Sequence, residues 1–263
     1  KAPSLGSLTD EHVSSSKGGT NCLTGNDVNV TKAIFNQSYA GVDGGAMFIT
    51  GNNVDVTASE FYNCHVNLTR LDPENDHYGG AIYIIGNNTD VVDCIFDDCY
   101  SILGGTMYIV GHNTTVEGSL MNNSYSVTDG GAIFVAGDNA TISGDFMNCN
   151  ASTDLLGAPA GNGGAIYVEG KNTDMVDSTF TDCFAKNDGN GGAIYILGRN
   201  TAVERSAFND TRTTDEGLGG AIFILGNDAT VNESTFNLAN AKNGGAIYID
   251  EGLNTNVLGS NFT

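Results

Sequence analysis

The sequence predicts an all-β, single-domain, right-handed parallel β-helix, and three observations carry that prediction. A Gly-Gly pair recurs at Gly18, Gly44, Gly79, Gly104, Gly130, Gly163, Gly191, Gly219 and Gly244. Short apolar runs recur with it at fixed offsets, in a unit reading approximately G-G-A-I-Y-I-x-G-N-N-T-x-V-x-x-S-x-F-x-N/D-x-x-A. Gly, Asn and Asp separate the runs, supplying the positive-φ corners that tight turns need. A unit this small cannot bury its own apolar face, so successive units must stack.

Each unit offers three strand candidates. The first is Ala81–Ile84 and its equivalents, the second surrounds Val91, Val116 or Val203, and the third surrounds Phe96, Phe180 or Phe208. None has the length or the 3.6-residue period of a helix. Stacking at about 4.8 Å puts equivalent residues in columns. One column runs from Leu23 through Ile84 and Ile196 to Ile249; another from Val30 through Val91 and Val203 to Val257. A third runs Phe35, Phe61, Phe96, Met121, Phe146, Phe180, Phe208, Phe236, Phe262. Each buried member contributes roughly 1.5–3 kcal/mol, enough to make a dry interior in a chain of modest hydrophobicity. About nine coils make a rod of roughly 40 Å. The repeat domain spans residues 18–263, and the polar stretch 1–17 lies outside it as an N-terminal arm or cap. Insertions at Val66–Tyr78, Ala151–Asn162, Lys186–Asn190 and Thr213–Leu218 are expected to emerge as loops along one edge.

After the first strand, Asp27, Asn53, Asn88, Asn113, Asn139, Asn172, Asn200, Asp228 and Asn254 share one position. They predict a structural ladder of stacked amides at left-handed corners. The opposite face of the first strand carries Phe48, Tyr83, Tyr108, Phe134, Tyr167, Tyr195, Phe223 and Tyr248. An apolar stripe of that kind predicts an assembly surface, unless an insertion or the N-terminal segment folds over it.

Net charge is -21, from 31 acidic and 10 basic residues. That balance excludes phosphate-backbone binding, so no nucleic-acid partner is expected. No apolar run reaches the length of a membrane-spanning helix. Lys1 in place of Met is consistent with a processed or trimmed N-terminus. Cys64 and Cys99 share a position in adjacent units, as do Cys149 and Cys183, which predicts two disulfides; Cys22 and Cys94 have no evident partner. Acceptor sequons for N-glycosylation are dense, and Asn36, Asn67, Asn122, Asn150, Asn209 and Asn232 are the candidates.

No catalytic residues and no cofactor are expected. Asp90, Asp93, Asp174 and Asp177 are candidate carboxylate rows for Ca²⁺, with a solvated acidic face as the alternative; the 72–76 loop is a further candidate without a recognisable ligand spacing. Lys171, Arg199 and Arg205 are the basic cluster of the repeat body, and His12, His65, His77 and His112 are assigned no chemistry.

Segments such as Gly79-Gly80-Ala81-Ile82-Tyr83-Ile84, then Gly86-Asn87-Asn88-Thr89, then Ser178-Thr179-Phe180-Thr181-Asp182, resemble adhesin-like and sheath-type surface proteins of methanogenic archaea. The chlamydial polymorphic outer-membrane proteins are similar more distantly. Asn or Asp follows Phe by two residues here (Asn63, Asp98, Asn148), not three, which favours the archaeal type. The resemblance implies a secreted cell-envelope or extracellular location. It also implies a non-enzymatic structural protein that self-assembles, head to tail and laterally, into a sheath or filament. An adhesin module that binds surface glycans is the alternative, and a polysaccharide lyase or hydrolase the third reading. The latter needs clustered carboxylates in a groove along the rod.

Overall fold

Alternation along each short strand decides the architecture. In Ile82-Tyr83-Ile84 the two isoleucines point inward with no exposed surface, while the tyrosine points out. The computed structural model describes residues 4–5, 19, 21–68, 77–151 and 160–263. Among these there is no helix, and the strands form three sheets of 17, 9 and 7 strands. The paired strands are parallel and lie in register from turn to turn, as in Ile82 with Met107 and Met47. The chain is a parallel β-solenoid whose nine-stranded sheet contributes one strand per turn, from Asn21–Leu23 to Ile247–Ile249.

The expected columns fill the interior. Val56, Val91, Val116, Ile142, Met175, Val203 and Val231 are fully buried, each opposite the next. The Phe column stacks ring on ring: Phe180 and Phe208 have centroids 4.8 Å apart with planes 4° from parallel. The spacing equals the distance between strands, so offset rings gain contact without distorting the ladder.

The Gly-Gly corner has two separate requirements. Gly79 adopts φ +60°, in the left-handed region. A Cβ on Gly80 would lie 2.1 Å from the carbonyl oxygen of Gly105 in the next turn. The pair therefore buys both the reversal and the close approach of stacked backbones.

Two features depart from the three-strand expectation. Each of seven turns has a fourth, two-residue strand, such as Tyr100–Ser101 and Tyr125–Ser126, and these form the seven-stranded sheet. In two turns the second and third strands fuse into Thr115–Asn122 and Thr141–Met147, with a register shift between Val116 and Ser119. This fusion merges two faces into the 17-stranded sheet. Of the N-terminal arm, Ser4–Leu5 pairs parallel with Asn29 and Val30, one rung before the first turn.

Candidate functional site

The outward residue of the first strand builds the stripe. Phe48, Tyr83, Tyr108, Phe134, Tyr167, Tyr195, Phe223 and Tyr248 lie in successive register. From Tyr108 onward their rings stack, with centroids 4.8 Å apart for Tyr108–Phe134 and 4.9 Å for Tyr167–Tyr195. Their exposure divides the stripe: Tyr108, Tyr167, Tyr195 and Tyr248 are partly exposed, while Phe48, Tyr83, Phe134 and Phe223 are buried. Phe48, Phe134 and Phe223 are only 7, 6 and 4% exposed. The rings shield each other, and the insertion corner beside them contributes cover: Tyr78 packs 4.2 Å from Tyr108 and 5.5 Å from Tyr83, centroid to centroid. Burial, followed by the Asp43 carboxylate, pushes the Tyr83 hydroxyl up to about 12. Burial also raises Tyr167 and Tyr195, with Asp129 the next cause in both.

The fourth strand carries a second aromatic column that the repeat unit did not reveal. Its outward rungs are Tyr39, His65, Tyr100, Tyr125, Asn150, Phe184 and Arg212. His65 stacks on Tyr100 at 4.5 Å and Tyr100 on Tyr125 at 4.8 Å. The Arg212 guanidinium lies 4.9 Å from the Phe184 centroid. His65, assigned no chemistry from sequence, is thus a rung in an aromatic stack. The available signal was a single outward side chain beside a single inward one, over two positions, too short to separate from a turn.

Corner ladders close the turns. Asn88 donates its amide to Asn53 Oδ1 (3.1 Å), Asn113 to Asn88 (3.0 Å), Asn139 to Asn113 (3.1 Å), Asn172 to Asn139 (2.9 Å) and Asn200 to Asn172 (2.8 Å). Every member has positive φ. The ladder breaks where Asp228 follows Asn200, because a carboxylate has no amide to donate; it resumes with Asn254 donating to Asp228 at 3.0 Å. A serine ladder runs at the next corner. Ser206 accepts from Ser178 N and donates to Glu204 O, and Ser234 accepts from Ser206 N and donates to Asn232 O. These hydroxyls satisfy backbone groups that a bend would otherwise orphan.

The predicted cysteine pairs share a buried column with Ser38, Ser124 and Thr211. Cys64 and Cys99 lie in adjacent turns, as do Cys149 and Cys183; the Cys99 and Cys149 thiols donate to backbone carbonyls at 3.5–3.8 Å, and burial drives both well above the usual thiol range. All six cysteines are nevertheless free thiols in the structure. The position selects small side chains, and Cys64 uses its S–H toward Tyr62 O at 3.6 Å. Cys22, at the start of the stripe, is exposed.

The remaining candidates scatter. Arg205 grips Asp177 through Nε and Nη2 at 2.8 and 3.0 Å, away from Lys171 and Arg199. Those two line a shallow groove of about 300 Å³ with Glu169, Leu197 and Leu225. Asp90 sits opposite Asp55 and Thr115, not Asp174. Among the described residues no three His, Cys, Asp or Glu side chains converge on a metal site; the 72–76 loop lies outside the described residues. The sequons sort by the state of the amide nitrogen. Asn122 donates it to Asp97 at 2.9 Å, while Asn36, Asn150, Asn209 and Asn232 occupy outward, partly or fully exposed positions. Asn67 lies on the described edge of the first long insertion.

Ile249, Val257 and Phe262 are 44, 38 and 50% exposed, where their equivalents in the turn before, Ile224, Val231 and Phe236, are at most 1% exposed. No protein-family model and no curated protein matches the chain.

Proposed function

We propose that this chain is a non-enzymatic structural rod of a cell envelope or extracellular filament. In this reading it is secreted and lengthens by stacking the first turn of one copy on the last turn of another. One observation supports it: the turns repeat a single parallel register, and at residues 247–263 the Ile249, Val257 and Phe262 columns are half exposed where a further turn, of this chain or of a second copy, would continue them. Such an edge recruits a further strand layer, and a second copy supplies the same columns in the same register. At the first turn, Leu5 already pairs with Val30, so the arm must leave before a copy can dock. A lateral contact in this reading falls on the partly exposed members of the aromatic stripe, Tyr108, Tyr167, Tyr195 and Tyr248.

Negative-stain electron microscopy tests this directly. The wild type is expected to form end-to-end polymers. Val257→Asp with Phe262→Asp is expected to stay as discrete rods of unchanged circular dichroism. Leu5→Pro, which removes the arm's backbone donor, is expected to speed polymerisation. Discrete rods under all conditions sink the proposal. Rods that bind surface glycans replace it with the adhesin reading, and rods that cleave polysaccharide replace it with an enzyme.

A further inference from the structure

The outer aromatic column on the fourth strand is interrupted at one rung. Tyr125 pairs with Asn150, and Asn150 with Phe184. Tyr125 stacks on Tyr100 at 4.8 Å on one side. On the other side the next ring is two strand spacings away, roughly 9.6 Å, which is the separation needed to hold one further ring between two faces. The side chain at that rung points outward, since Asn150 is half-exposed and Ala151 is buried. It is also too short to reach the outer halves of its neighbours' rings.

Asn150 begins the acceptor triplet Asn150-Ala151-Ser152. Its amide nitrogen makes no hydrogen bond among the described residues. By contrast Asn113, Asn122 and Asn139 donate theirs at 3.0, 2.9 and 3.1 Å, and a sugar on any of them would break a ladder or a side-chain pair. Phe184 is also touched by cations, Arg212 at 4.9 Å and Lys186 at 5.2 Å. A mixed stack of rings and polar groups is therefore already the habit of this face.

We propose that Asn150 is an N-glycosylation site whose first pyranose completes the column, one C–H face on Tyr125 and the other on Phe184. This rests on the export reading above. In the transfer, Nδ2 displaces a lipid-linked pyrophosphate from C1 of the donor saccharide. The N–C1 bond forms, the C1–O bond breaks, the amide loses one proton, and the lipid pyrophosphate leaves.

Glycopeptide mapping of protein isolated from the cells that natively make it, with fractionation of those cells, is the test. The expected result is a hexose or hexosamine mass on the Asn150 peptide of extracellular protein. Enzymatic removal of the sugar is expected to lower Tm by about 2–4 °C, as for loss of an aromatic stacking contact in a chain of this size. Tyr125→Ser with Phe184→Ser is expected to keep the sugar but abolish that shift. Unmodified Asn150 on extracellular protein overturns the proposal and leaves export standing. Protein confined to the cytoplasm overturns both. A Tm shift that survives the double substitution overturns the stacked geometry.

Discussion

Asp228→Asn is expected to stabilise the protein, because it joins two halves of a broken ladder. From Asn53 to Asn200 each amide donates to the preceding turn, at distances between 2.8 and 3.1 Å. Asp228 continues the column at φ 59° and accepts from Asn254, but it offers no donor to Asn200 Oδ1. An asparagine there keeps the bond to Asn254 and gains one to Asn200. A net intramolecular hydrogen bond is worth ~0.5–1.5 kcal/mol. Both groups are exposed, so water already serves them, and the lower part of that range, about 0.5–1 kcal/mol, applies. In a chain of this size that is about 1–4 °C in Tm. The mirror change, Asn139→Asp, removes only the donor to Asn113 and is expected to cost at least as much. Asp138→Asn controls for charge: Asp138 Oδ1 accepts from Lys171 N at 2.8 Å, and an asparagine oxygen does the same. Equilibrium denaturation of the three variants decides the matter. If Asp228→Asn is no more stable than Asp138→Asn, or if Asn139→Asp is neutral, the ladder contributes nothing and the reasoning fails.

Two further outcomes follow from the buried side chains. In alkaline titration, tyrosinate absorbance should lag for the covered rings, with Tyr83 and Tyr125 ionising near pH 12. Their folded pKa lies above the unfolded value, so the stability they supply is whole below about pH 10 and is lost as pH rises through the folded pKa. Loss of the β circular dichroism signal should accompany their ionisation, and reversible ionisation of all 10 tyrosines near pH 10 in an intact fold would contradict this. In the reduced, folded protein Cys22 alone should react with iodoacetamide, since the other five thiols are buried; a second labelled cysteine before denaturation would show the interior is not closed. Intact mass of material from an oxidising compartment then tests the Cys64–Cys99 and Cys149–Cys183 bridges, each of which removes two hydrogens.

The inward half of this fold was legible because parallel stacking repeats it. Phe61, Phe96 and Phe180 can share one environment only if the turns superpose, so their recurrence fixed strand register before any coordinates. The serine ladder was equally present, as the Ser two residues before Phe180, Phe208 and Phe236, and its meaning emerged only with the backbone partners. The fourth strand was hidden by length: Tyr100–Ser101 is two residues, and its outward position changes identity at almost every turn. Stripe exposure was hidden for another reason. Alternation states which face Tyr83 takes, but not that Tyr78, from an insertion, packs over it.

That difference between inner and outer positions has one physical cause. At about 4.8 Å, identical apolar side chains cohere, so selection can repeat Val or Phe for nine turns. Identical charges at the same spacing repel, by about 1 kcal/mol per pair even in water. A chain of net charge -21 must therefore vary its outward columns. The outward position of the second strand does so, reading Asn29, Asp55, Asp90, Thr115, Thr141, Asp174, Ala202, Thr230 and Asn256. Its single adjacent acidic pair is Asp55 with Asp90, and there the Asp55 carboxyl is raised, first by burial and then by the Asp90 charge. The ladder corners solve the same problem with neutral amides, which attract when stacked in one direction. The repeat is uniform where stacking attracts, in the Phe core and the outward aromatic stripe alike, and diverse where it repels, so the charged outward positions are the ones a repeat-based reading sees least.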